Sequence, residues 1–141
     1  MRIFIDTNVL IDLLSEDRPN HACASQILQV VKKGFLTASM TTQSIIDASY
    51  VQTEVAKGPV EAFREAIRSL SSFIDVISIA REDIEAANNC HIPDYEDAAQ
   101  VACALNSYCD AIITSDKKIR AYTSLPVYTP QEFNQELFGA K

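Results

Sequence analysis

Glycine and proline are scarce, 3 and 5 in 141 residues, and no serine-rich stretch or single-charge run interrupts the chain. No part of it therefore reads as a linker or disordered tail. Internal repeats are missing too, which argues against solenoids and propellers. No segment approaches the roughly 18 uncharged apolar residues of a membrane helix. The opening run Met1-Arg2-Ile3-Phe4-Ile5 is too short for a signal peptide before Asp6 ends it. The expectation is a soluble, cytoplasmic protein with no membrane partner. Histidine is confined to His21 and His91, neither of them in an HxxxH or HExxH spacing, so zinc hydrolysis is not indicated. Nucleotide-phosphate loops of the GxxxxGKS/T or GxGxxG kind are absent. Cys23, Cys90, Cys103 and Cys109 form no CxxC and sit in or beside apolar helical stretches, so they read as structural thiols. Ser44 and Ser49 lack an identifiable base.

What the chain does have is 48% hydrophobic residues, enough to bury a core in one domain spanning residues 1–141. Its formal charge of −7 argues against broad electrostatic adhesion to nucleic acid. It leaves room for a nucleic-acid enzyme, because carboxylates gathered to bind divalent cations make a chain acidic and the ions reverse that sign locally.

Hydrophobic periodicity alternates between strand and helix, which predicts an α/β layered fold with a parallel sheet. Arg2 to Ile5 reads as the first strand, followed by a helix bearing Val9, Leu10, Leu13 and Leu14 that ends before Arg18-Pro19. Asn20 is placed to cap a second helix, and Gly34 to end it. Phe35 to Ser39 is the expected second strand. Thr41 or Thr42 then caps a helix carrying Ile45, Ile46, Ser49, Tyr50 and Thr53, which Gly58-Pro59 breaks. A helix through Val60, Phe63, Ile67 and Leu70 precedes a third strand at Phe73 to Ile79 and a short helix at Glu82 to Asn89. Asp94 to Tyr108 has the best amphipathic pattern, with Ala98, Val101, Ala102 and Leu105 on its apolar face. Ala111 to Thr114 and Val127-Tyr128 complete the strands, and Thr129-Pro130-Gln131-Glu132 is a capping box for a last helix. Strands two and three on one side of strand one, with four and five on the other, give the order 3-2-1-4-5. The winding then reverses between strands one and four, the place where open α/β sheets put their sites.

That topology brings acids to one end of the sheet. Asp6 follows strand one immediately and Asp116 closely follows strand four, while Asp94 and Asp97 open the helix that feeds strand four. Asp94 is also a sound N-cap, and an acid at the position of Asp97 suits a helix N-terminus. Glu96 points opposite the apolar face and reads as the solvated acid of the three. Unpaired carboxylates this close raise one another's pKa, a conflict that a hard cation with oxygen ligands removes, and Mg²⁺ or Mn²⁺ suits such a set. Asp47 is a further candidate, with Glu54 two turns on. Asp12, Asp17, Asp75, Asp83 and Asp110 read as helix-surface or turn acids.

Three segments, Ile3-Phe4-Ile5-Asp6-Thr7-Asn8-Val9-Leu10, Asp94-Tyr95-Glu96-Asp97-Ala98 and Ile113-Thr114-Ser115-Asp116-Lys117, together resemble the PIN-domain family, especially the VapC-like toxin ribonucleases. The resemblance covers nearly the whole chain. It implies a three-layer α/β/α domain and a Mg²⁺- or Mn²⁺-dependent phosphodiesterase acting on RNA. It also implies homodimers and an antitoxin protein as partner. Carried over by residue, Asp6, Asp97 and Asp116 match the family's metal-binding acids and Asp94 its Asp-x-x-Asp variant. Thr7, Asn8 and Thr114 match polar neighbours that orient water, phosphate or carboxylate. The family's glutamate after strand two is here Asp47, one methylene shorter, unless Glu54 replaces it. Lys117, Lys118 and Arg120 are candidate phosphate contacts, or simply a solvated basic loop.

Two rival functions stand beside the ribonuclease. An aspartyl-phosphate phosphatase would use Asp6 as nucleophile but wants an acid two residues later, where Asn8 stands. A non-catalytic protein-binding module would keep the acids without the chemistry.

Overall fold

A computed structural model describes residues 1–139. The expected domain runs on to Lys141, and its last two residues lie outside the described ones. Five parallel strands, β1 (Arg2–Ile5), β2 (Thr37–Thr41), β3 (Asp75–Ile77), β4 (Ala111–Ile113) and β5 (Val127–Tyr128), pair in the order β3-β2-β1-β4-β5. The helices are α1 (Thr7–Leu14), α2 (His21–Lys32), α3 (Thr42–Ser49), α4 (Val60–Ser71), α5 (Arg81–Asn88), α6 (Tyr95–Asn106) and α7 (Pro130–Phe138). No helix among the described residues is long and apolar enough to cross a membrane.

Alternation along the central strand explains the layering. Ile3 and Ile5 project to one face, into a core shared with Leu10, Ile27, Met40 and Phe133. Phe4 projects to the other, against Val101, Cys103 and Ala104 of α6. Both faces of β1 are thus buried, as a parallel strand requires. Helix α5 closes the second layer through Ala87 against Ala98 and Ala99.

Several elements differ from expectation. β2 begins at Thr37 rather than Phe35, because Gly34 turns the chain at φ +84° and Phe35, 76% exposed, is still in that turn. β3 keeps only three residues, since it is an edge strand paired solely with β2 over Ser39 to Thr41. Asn20 stands at the start of α2 without a side-chain capping bond. Thr41 does cap α3, accepting from Ser44 N at 3.0 Å. The helix beyond α3 widens into a π-helical segment, Tyr50–Val55, and both Ile46 of α3 and Tyr50 are exposed. Helix α6 is not one-sided: every residue from Ala98 to Ala104 is buried, while Leu105 is exposed. It lies between sheet and α5, so its polar face also meets protein.

Two acids expected on the surface are buried. Asp12 is 2% exposed and its Oδ1 accepts from Arg18 Nε at 2.6 Å. Asp83 accepts from Ala80 N and from Asn106 Nδ2, both at 2.7 Å, tying α5 to α6. Removing the Arg18 guanidinium strands a buried charge. Arg18→Ala is therefore expected to cost about 2 kcal/mol, read as a lower urea midpoint with unchanged slope. Of the thiols, Cys103 and Cys109 are buried and Cys23 half-buried, as structural cysteines should be, but Cys90 is exposed. Burial pushes the Cys103 thiol up to about 11.

Candidate active site

The site starts where β1 and β4 end side by side. Asp6 N donates to Ile113 O at 3.0 Å, extending the ladder by one residue and fixing the backbone of Asp6. Its carboxylate then does two things. Oδ1 accepts from Thr7 N at 2.8 Å, capping α1. Oδ2 accepts from Thr114 Oγ1 at 2.7 Å. Thr114 is buried and its hydroxyl oxygen in turn accepts from Asp116 N at 3.1 Å. Asp116 Oδ1 accepts from Lys118 N at 2.9 Å, capping a 3₁₀ turn over Lys117–Ala121. Two strand ends and two helix caps thus place Asp6 and Asp116 together through one threonine.

The start of α6 approaches from the side. Asp94 Oδ1 accepts from Asp97 N at 2.9 Å, an N-cap bond. Asp97 is half-buried and Asp94 exposed. Glu96 is not turned away from the site: it is surface-accessible yet faces the acids. Gln100, one turn on and 4% exposed, donates through Nε2 to Glu96 Oε1 and to Thr7 Oγ1, both at 3.3 Å. Thr7 Oγ1 also lies 2.7 Å from Ser44 Oγ, so α6, α1 and α3 meet in one polar network. Asp47, one turn beyond Ser44, accepts from Gln43 Nε2 at 2.9 Å. Asp6, Asp47, Asp94, Glu96, Asp97 and Asp116 line a single cleft with Thr7 and Asn8. Glu54 does not line it. The i→i+5 winding of the π segment turns each residue through a smaller angle, which takes Glu54 out of line with Asp47.

The field in this cleft is strongly negative. Asp97 is pushed up to about 6, by burial first and then by the charges of Asp94, Asp6, Asp116 and Glu96. Burial also raises Asp6, against the pull of its bonds from Thr114 and Thr7, and Asp116 and Asp94 add to the rise. Glu96 is raised by burial and then by Asp47, Asp6 and Asp94. Among the described residues none of the six acids pairs with a lysine or arginine. Nor do three His, Cys, Asp or Glu side chains already stand in ligating positions around one point. The donor set is nonetheless all oxygen, anionic and uncompensated, which fits a hard divalent cation.

The basic residues after Asp116 separate into two kinds. Arg120 is committed to the fold, donating to Val127 O at 2.8 Å and Glu132 Oε1 at 2.6 Å, and is not a free phosphate contact. Lys117 and Lys118 are exposed. Residues that sequence reasoning missed are Glu96, Gln100 and Ser44. Gln100 carried a usable signal, since it falls at the spacing i+3 and i+4 from Asp97 and Glu96 and so shares their side of the helix.

A PIN domain family model matches residues 2–118. The chain is 23% identical over 137 residues to Ribonuclease VapC1 of Aquifex aeolicus (strain VF5), covering 94% of this chain and 92% of that one. Among solved structures it resembles VapC20 of Mycobacterium tuberculosis, described as a sarcin-ricin loop cleaving toxin. There the TM-score is 0.67 at 14% identity, over 87% of this chain and 98% of the other. It also resembles a toxin-antitoxin complex from Klebsiella pneumoniae, with TM-score 0.65 at 22% identity over 91% and 97% of the two chains. With a sheet order and acid-bearing strand ends of the kind its sequence implied, and a family match over most of its length, the chain belongs to the PIN-domain family.

Proposed function

We propose that this protein is a Mg²⁺- or Mn²⁺-dependent endoribonuclease, acting in the cytoplasm as the toxin of a toxin–antitoxin pair. The observation that carries the reading is the cleft of six uncompensated carboxylates at the ends of β1 and β4, the topological switch point of the sheet. The relative named as a ribonuclease supports RNA as substrate, and the neighbour described as a sarcin-ricin loop cleaving toxin supports cleavage as the activity. The neighbouring toxin-antitoxin complex supports an antitoxin protein as partner, and the family resemblance supports a homodimer.

Asp6, Asp97 and Asp116 would hold the ion, with Asp94, Asp47 and Glu96 around them. When bound, the ion supplies Lewis acidity toward the scissile phosphate and the attacking water. The chain's own residues supply position. Thr114 holds Asp6 and the backbone of Asp116 in one arrangement, and Gln100 holds Glu96 against Thr7. Asn8 stands exposed on the wall of the cleft, where its amide can donate to a phosphate oxygen. Lys117 and Lys118 offer charge to phosphates beyond the cut. Asp47 reaches less far than a glutamate would, and Glu96 faces it across the cleft.

Incubation of the protein with a panel of structured RNAs tests the reading. Cleavage is expected with Mg²⁺ or Mn²⁺ and is lost in excess EDTA. Undiminished cleavage in EDTA would remove the ion from the mechanism, and intact RNA under every condition would remove the ribonuclease.

A further inference from the structure

Beside the acid cleft lies a second hollow of about 370 Å³, within the range of small-ligand sites. The two are continuous: Asp94, Asp97 and Asp116 line both. The character of the second is different. Ile92, Pro93, Ile119, Ala121 and Tyr122 make its remaining wall apolar, and Lys118 is its cation. Tyr122 is 48% exposed. It follows directly on the 3₁₀ turn that Asp116 caps, and its own N–H is tied to Ile119 O at 2.9 Å. The carboxylate that belongs to the site and the aromatic ring beside it are therefore held by the same five-residue turn.

The chemistry of this hollow selects its occupant. A phosphate is disfavoured deep within it, because three carboxylates form one side. A neutral planar ring is favoured, because it can lie against Tyr122 and Pro93 and shed apolar surface from water. A chain carrying such a ring and a phosphate on the same repeat would put the ring in the hollow, one phosphate near Lys118 and the next in the acid cleft with its cation. We infer that the hollow walled by Tyr122, Pro93 and Ile92 is a nucleobase subsite, which takes an unstacked base of the RNA next to the cut phosphate. The inference rests on the ribonuclease reading above. Recognition of single-stranded RNA by splaying a base onto an aromatic side chain follows the same physics. It makes Tyr122 a substrate-binding residue and gives Lys118 the other phosphate of that nucleotide, on the far side of the base from the cut.

Two measurements on an RNA that the wild-type protein cleaves test this. In the first, the cleavage-deficient Asp6→Asn protein is photocrosslinked with Mn²⁺ present to that RNA carrying 5-iodouridine, placed singly at each position around the cut. Mass spectrometry then maps the attachment. One position flanking the cut is expected to crosslink to Tyr122. In the second, Tyr122→Ala is expected to raise KM about tenfold with kcat within about twofold, and Tyr122→Phe, which keeps the ring, to behave as wild type. Tyr108→Ala, at the opposite end of α6, is the control expected to change neither constant. Crosslinks that avoid Tyr122 at every position, or a folded Tyr122→Ala with unchanged KM, would overturn the subsite and leave the ribonuclease standing. If no RNA is cleaved with any divalent ion, the ribonuclease reading fails and takes the subsite with it.

Discussion

Replacing Asp6 by asparagine is expected to reduce RNA cleavage by roughly a thousandfold while leaving the protein folded. The two effects separate because Asp6 has two jobs that asparagine divides. Its Oδ1 caps α1 through Thr7 N, and an asparagine carbonyl does the same. Its Oδ2 takes the Thr114 hydroxyl, and an amide there must reverse the sense of that bond. Against this local loss stands relief of a charge whose pKa is raised first by burial and then by Asp116 and Asp94. The net change in stability in metal-free buffer is expected to stay within about 1 kcal/mol, measured by urea denaturation. Severe unfolding of the variant would instead make Asp6 a structural residue.

Asp97→Asn is expected to abolish cleavage as fully, and it carries a pH signature that Asp6 shares only in direction. With the folded-state pKa of Asp97 raised to about 6 and the unfolded value near 3.9, the folded protein binds the proton more tightly. Its contribution to stability is then fully present below about pH 4 and is lost as pH rises through about 6. In EDTA, the melting temperature of the wild type relative to Asp97→Asn should therefore fall across that window and level off above it. Divalent cation should restore the wild type and, at the same concentration, raise the variant's melting temperature less. If both proteins titrate in parallel, the shared field at Asp97 is not what the geometry says it is. If Asp97→Asn melts early yet cleaves RNA at the original rate, Asp97 only supports its helix.

The acids that carry these predictions were legible because each sits at a boundary that periodicity marks: the end of an apolar strand for Asp6 and Asp116, the start of a helix for Asp94 and Asp97. The sheet order followed from the same alternation. Glu96 was not legible, since a helical wheel of α6 shows only that Glu96 opposes Ala98 and Val101. It cannot show that α1 and α3 bring Thr7, Ser44 and Asp47 up to that opposite face. The same blindness hid the burial of Ala99, Gln100, Cys103 and Ala104, which the wheel leaves to water: Cys103 and Ala104 pack with Phe4 of the sheet, Gln100 meets Thr7 of α1 and Ala99 meets Ala87 of α5. Asp12 reads as a surface acid until the loop after α1 folds Arg18 back onto it. The π-helical stretch at Tyr50–Val55 has no signature in composition, so the choice between Asp47 and Glu54 could be made only once its winding was known. Strand ends slipped for a simpler reason: Phe73 and Ile74 are apolar enough to read as strand, but their amides still donate to Leu70 O at the end of α4, at 3.2 and 2.9 Å.

The central claim, that these carboxylates are a divalent-cation site rather than a set of helix caps, is tested most directly by titrating Mn²⁺ into the RNA-free protein and following the free-ion EPR signal. Wild type should bind the ion, and Asp97→Asn should bind it at least about tenfold more weakly at unchanged fold. Equal affinity in the two proteins, or no binding in either, would contradict the account.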